Sequence, residues 1–110
     1  MSFFQSDVVR AEMVEISELQ EEVYSNVMKF HYMNDEDKCY HINLLDKLID
    51  KQKILYARLS LSDDPEAKSV VDNMRQGIVL LGADPNLTIE KMFDDLANKI
   101  KNFKSMLPDE

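Results

Sequence analysis

Four side chains able to bind a transition metal fall within eleven residues: His31, Asp35, Cys39 and His41. Their spacing argues against a shared metal. Residues two apart on a helix face different directions, which separates Cys39 from His41. His31 and Asp35 lie at a turn, and structural zinc sites show paired ligands at recognisable intervals. The segment reads as a surface turn followed by a buried or half-buried thiol.

A second constellation is carboxylate-based. Glu15, Glu18 and Glu22 make an acidic ridge at helical spacing. Di-iron bundles combine inward carboxylates with a Glu-x-x-His pair on two helices. No Glu-x-x-His occurs in this chain, and both histidines lie outside the ridge. The glutamates also fall off the apolar stripe, so they read as a solvated face. There is no glycine-rich phosphate loop and no nucleophile elbow. With 2 His and 1 Cys, acid–base or nucleophilic catalysis has few candidates. No catalytic, cofactor-binding or metal-binding residue is assigned, no cofactor is expected, and the chain reads as a non-enzyme.

Composition narrows the classes further. The chain has 110 residues, 45% of them hydrophobic, which suits one domain with a modest core. The net charge is −8, from 21 acidic and 13 basic residues. Duplex binding needs clustered cations to displace counterions, so no direct nucleic-acid contact is expected. The lone Cys39 cannot form an intramolecular disulfide, which suits a reducing compartment. No apolar run reaches membrane-spanning length, and the N-terminus lacks a basic segment followed by an apolar one. The reading is a soluble, cytoplasmic protein with no membrane partner.

The elements that must position these residues are helical. Three punctuated breaks, at residues 32–35, 62–65 and 82–85, separate four amphipathic patterns. Val9, Met13, Ile16, Leu19, Val23, Val27 and Phe30 step by three or four, predicting a first helix from Ser6 to Phe30. Asn34 caps the second, with Asp35, Glu36 and Asp37 at the positive end of its dipole. Its stripe is His41 or Ile42, Leu45, Leu48 or Ile49, Gln52, Leu55, Tyr56 and Leu59. Asp50 is placed to pair with Lys47 or Lys53 along the helix. Asp64-Pro65 opens the third helix and Gly82 ends it, with Gly77 inside. The fourth begins near Thr88 and stops before Pro108. Met13, Met74, Met92 and Met106 sit on or beside the stripes as core filling.

This predicts an all-α fold: a long antiparallel helical hairpin with two shorter helices packed on it, in one domain over residues 1–110. Lys47, Lys51, Lys53 and Arg58 make the second helix basic, ready to meet the acidic first helix or a partner. Val14, Tyr24, Met28, Leu44 and Ile54 are spare apolar positions, and burying them on a second copy would give a homodimer.

Two segments carry a family resemblance. One is Ser2-Phe3-Phe4-Gln5-Ser6-Asp7-Val8-Val9-Arg10-Ala11-Glu12; the other runs from Leu44 to Asp64 and holds Leu59-Ser60-Leu61-Ser62-Asp63-Asp64. They resemble a family of small proteins of cyanobacteria and their tailed phages, domain of unknown function 1825. The resemblance implies a cyanobacterial or cyanophage origin and a host-cytoplasm location, and it supplies no activity. It is strongest over the first 64 residues. Phe3, Phe4, Lys51, Tyr56 and Arg58 lie in its best-matched parts and are the expected partner-binding residues. The expected role is a protein-interaction or adaptor protein; a minor virion or assembly component is the alternative, and a metal-binding or enzymatic bundle the second.

Overall fold

A computed structural model of the protein describes residues 6–107. Phe3 and Phe4 lie outside the described residues. Four α-helices follow one another: α1 (Asp7–Val27), α2 (Asp35–Leu59), α3 (Pro65–Leu80) and α4 (Ile89–Met106). A single 3-10 turn, Phe30–Tyr32, joins the first two.

Each helix starts on a side chain that satisfies a free backbone N–H. The Ser6 hydroxyl accepts from Val9 N–H at 3.5 Å. Asn34 Oδ1 accepts from Asp37 N–H at 2.8 Å, and Asp64 Oδ1 accepts from Glu66 N–H at 3.0 Å ahead of Pro65. Thr88 Oγ1 accepts from Lys91 N–H at 3.4 Å. The end of α3 is a Schellman turn: Ala83 N–H donates to Ile78 C=O and Gly82 N–H to Val79 C=O, each at 3.0 Å. Gly82 has φ +115° there, a left-handed conformation that side chains resist.

The first helix ends earlier than its stripe predicts, at Val27 instead of Phe30. The stripe continues because Phe30 still faces the core, but it does so from the 3-10 turn. Its ring packs on Phe103 (centroids 5.1 Å apart) and on His41 (5.5 Å). Apolar spacing reports which side chains turn inward and is blind to a backbone that tightens from about 3.6 to about 3.0 residues per turn.

The pairings fix the topology. From the turn outward, Glu22 meets Tyr40, Glu15 meets Lys51 and Glu12 meets Arg58. That order requires α1 and α2 to run antiparallel. Asp46 meets Lys104, Lys53 meets Asp94 and Tyr56 meets Glu90, so α4 is also antiparallel to α2. The long hairpin and the two shorter helices packed on it are therefore as the sequence predicts. Lys47 and Lys53 reach Glu15 and Asp94 on neighbouring helices, not Asp50 on their own.

The second helix is the hub, packing against all three others, while α3 also packs on α4. Its buried face, Ile42, Leu45, Leu48, Ile49, Leu55 and Leu59, meets Val9, Ile16, Leu19 and Val23 of α1 and Met92, Phe93, Leu96 and Ile100 of α4 in one core. Met106 is a correction, since it is 74% exposed: the last turn of α4 runs past the core it was assigned to. The molecule measures 47 × 29 × 21 Å, with α2 about 37 Å long near its middle.

Tyr56 lies on the α4 side of the hub, where its hydroxyl donates to Glu90 Oε1 at 2.5 Å. That bond to a carboxylate, with burial second, pushes the phenol up from 10.0 to about 12. The folded state holds this proton more tightly than the unfolded chain does. The contribution is complete below pH 10 and is lost as pH rises through about 12. Urea unfolding at a series of pH values should show wild type losing stability over that window relative to Tyr56→Phe.

Candidate functional site

A furrow runs along the molecule between α1 and α3, with α2 as its floor. It exists because α1 packs broadly only on α2, leaving its other edge clear of α3. Met13, Ile16, Ser17, Gln20 and Tyr24 line the α1 wall. Val70, Asn73, Met74, Gln76, Gly77 and Leu80 line the α3 wall, over Leu55 and Gln52. The open groove has a volume of about 420 Å³. None of these lining side chains is charged, although 31% of the chain is.

The floor holds a buried polar side chain. Gln52 is 0% exposed, and neither its Oε1 nor its Nε2 has a hydrogen-bond partner among the described residues. A buried polar group without a partner costs about 1–3 kcal/mol, and an amide has both a donor end and an acceptor end. Gln52 sits between Leu48 and Leu55 on the apolar face of α2, where a leucine would pack with no such cost. The side chain therefore carries a penalty that folding alone does not require.

Tyr24 reaches across the furrow to α3. A Cβ built at Gly77 would lie 2.8 Å from the Tyr24 hydroxyl, so glycine is what lets α3 accept that contact. Half-burial of the ring raises the Tyr24 phenol above its ordinary range. Leu80, at the edge of the furrow, is 77% exposed, and Met28, just past the end of α1, is 84% exposed. Val14 and Ile54 are likewise exposed, whereas Tyr24 and Leu44 pack half-buried on the core.

The residues singled out in the sequence do not converge on this furrow. Lys51 lies on the α1–α2 seam, 2.9 Å from Glu15, and Arg58 lies 3.3 Å from Glu12. The hydrogen bond from Lys51 holds the Glu15 carboxyl below its ordinary range. Tyr56 faces α4 instead, so the three occupy two sides of α2. Two of the three ridge glutamates also serve the hairpin: Glu15 faces Lys51, and Glu22 accepts from the Tyr40 hydroxyl at 3.1 Å. The basic second helix thus meets the acidic first helix of its own chain. His31 is exposed, Cys39 half-buried and His41 buried against Phe30. Among the described residues, no three His, Cys, Asp or Glu side chains gather where they could hold a metal ion. Gln52 was visible in the sequence as one polar residue inside an apolar stripe. Only the unpaired amide marks it as more than a satisfied core glutamine.

A family model described as a domain of unknown function (DUF1825) matches residues 1–107. The chain belongs to that family. The match runs on through α3 and α4, beyond the segment ending at Asp64 in which the resemblance is plainest. No curated protein and no solved structure matches the chain. No helix among the described residues is long and apolar enough to cross a membrane.

Proposed function

We propose that this family member acts without catalysis, as a helical interaction protein whose furrow between α1 and α3 receives an amphipathic helix of a partner protein. The observation that carries the reading is Gln52, a wholly buried amide with no partner beneath an uncharged groove. Helix-in-groove recognition uses apolar anchors at three- and four-residue spacing. Met13, Ile16, Val70 and Met74 offer apolar walls for such anchors. Ser17, Gln20, Asn73 and Gln76 supply neutral hydrogen-bonding groups along the walls. A partner helix that displaced the side chains covering Gln52 would bring an Asn or Gln to both ends of its amide, fixing the register as a single buried polar residue does in coiled coils. The resemblance to proteins of cyanobacteria and their phages suggests where to look for the partner: a host complex, or another phage protein if the chain is phage-encoded.

Asn73 and Ser17 are exposed on the two walls, so arginine at both positions closes the furrow without entering the core. Tagged wild type and the Ser17→Arg/Asn73→Arg variant would be compared as baits in cyanobacterial lysate, with and without phage infection. The expected result is a partner recovered near stoichiometrically by wild type. The blocked bait should recover it at least about tenfold less, as expected when a central contact worth over about 1.4 kcal/mol is lost. Equal recovery by both baits would place the interface elsewhere, with the Lys51 and Arg58 face next in line.

A further inference from the structure

Gly77 stands inside α3 with an ordinary helical backbone, since of the two glycines only Gly82 has a positive φ. Alanine would favour the helix more at such a position. What the missing side chain provides is room. A Cβ there would meet the Tyr24 hydroxyl at 2.8 Å and Gln20 Nε2 at 3.8 Å, both reaching over from α1. Tyr24 thus starts on one wall of the furrow and ends on the other, and its ring bars the groove across its width. Nothing polar fastens it there. The Tyr40 and Tyr56 hydroxyls each donate to a carboxylate, whereas the Tyr24 hydroxyl has no hydrogen-bond partner among the described residues. The residue is half-buried, so part of it already meets solvent. Met28 follows four residues later on the same side of α1 and is 84% exposed, an apolar surface beside the way out.

We propose that Tyr24 is a gate on the furrow, closed when its hydroxyl rests on Gly77 and open when the ring swings out beside Met28 to admit the partner helix. This gate presupposes the furrow as the partner's seat and sets how entry is controlled. In the closed position the furrow is blocked level with Gly77, about one turn short of Leu80. A helix laid along it from Met13 cannot pass. In the open position the hydroxyl gains water and gives up only its contact with a bare backbone, so the two positions differ little in free energy. Only open molecules bind, and the apparent dissociation constant is the intrinsic one divided by the open fraction. Glycine is the seat that keeps the ring in the groove. A methyl group at residue 77 evicts it, and does so easily, because what it meets is the tip of a flexible side chain.

The test is Gly77→Ala, with Tyr24→Ala as a second variant that removes the gate outright. Wild type and Gly77→Ala carrying labelled tyrosine rings are first compared by NMR with no partner present. In wild type the Tyr24 ring should show through-space contacts to Gly77. In Gly77→Ala these should vanish and contacts to Met28 appear, and the soluble nitroxide TEMPOL should broaden the Tyr24 signals more than in wild type, with Tyr56 unchanged. Each protein then serves as bait over a dilution series in lysate. For a gate open in about a tenth of molecules, the bait concentration giving half-maximal partner recovery should fall about tenfold in both variants. A ring that stays against residue 77 in Gly77→Ala overturns the proposal without reference to any partner. A freed ring with recovery no better than wild type overturns it while leaving the furrow standing. Equal recovery by the Ser17→Arg/Asn73→Arg bait, or no recovery by any bait, overturns the furrow and the gate together, a result distinct from a furrow that binds without a gate.

Discussion

Replacing Gln52 with leucine should raise the unfolding free energy by about 2–3 kcal/mol and abolish partner binding in the same protein. The stabilising half follows from burial. Both ends of the amide are sealed from water without partners, and leucine has similar volume with no polar atom to desolvate. For a domain of this size the gain corresponds to a rise of roughly 8–20 °C in Tm. The functional half follows from position: the amide lies under the furrow, and a partner that answers it loses its anchor. Urea unfolding followed by helical circular dichroism reads the first effect, and capture of the same partner reads the second. A variant that is less stable than wild type would mean that the amide has a protein or water partner in solution. A variant that is more stable but still binds would leave the furrow without its anchor. A residue that costs stability and is kept for binding is the expected signature of a functional position in an otherwise consistent fold.

Truncating the hub should have the largest opposite effect. Leu48 is 0% exposed at the middle of α2, the helix that every other helix packs against. Leu48→Ala removes three methylene-sized groups from that centre and leaves a space that helices on several sides would have to collapse to fill. The expected loss is about 2–5 kcal/mol. Small domains are stable by only about 5–15 kcal/mol in total, so this variant should be close to unfolding at physiological temperature. The same change at Leu61, which is 86% exposed after the end of α2, should cost less than about 0.5 kcal/mol. Similar losses at the two positions would contradict the packing.

The bundle was legible because its signals are local. Asn34, Asp64-Pro65 and Thr88 each cap the helix they announce, and Gly82 ends α3 in the left-handed conformation that only glycine adopts freely. The furrow was not legible. Whether α1 leaves a gap beside α3 depends on how each of them is seated on α2, which is a property of three helices together and of no single stripe. Lys51 and Arg58 illustrate the same limit. Their positive charge shows in the sequence, but helical spacing cannot say whether the opposing carboxylate lies on a partner or on α1 of the same chain, where Glu12 and Glu15 stand. Gln52 and His41 could both be read as members of the buried stripe. That their polar atoms lack partners emerges only when the neighbouring helices are in place.

Site-specific photo-crosslinking tests the furrow most directly. A photoreactive phenylalanine analogue placed singly at Ser17 and Asn73, on the two walls, is compared with the same group at Lys47 and Glu18, exposed positions that do not line the furrow. After irradiation in lysate, crosslinks to one protein from both furrow positions and from neither control are the predicted result. Crosslinks to that protein from Lys47 or Glu18, with none from Ser17 and Asn73, would contradict the furrow as the place where the partner binds.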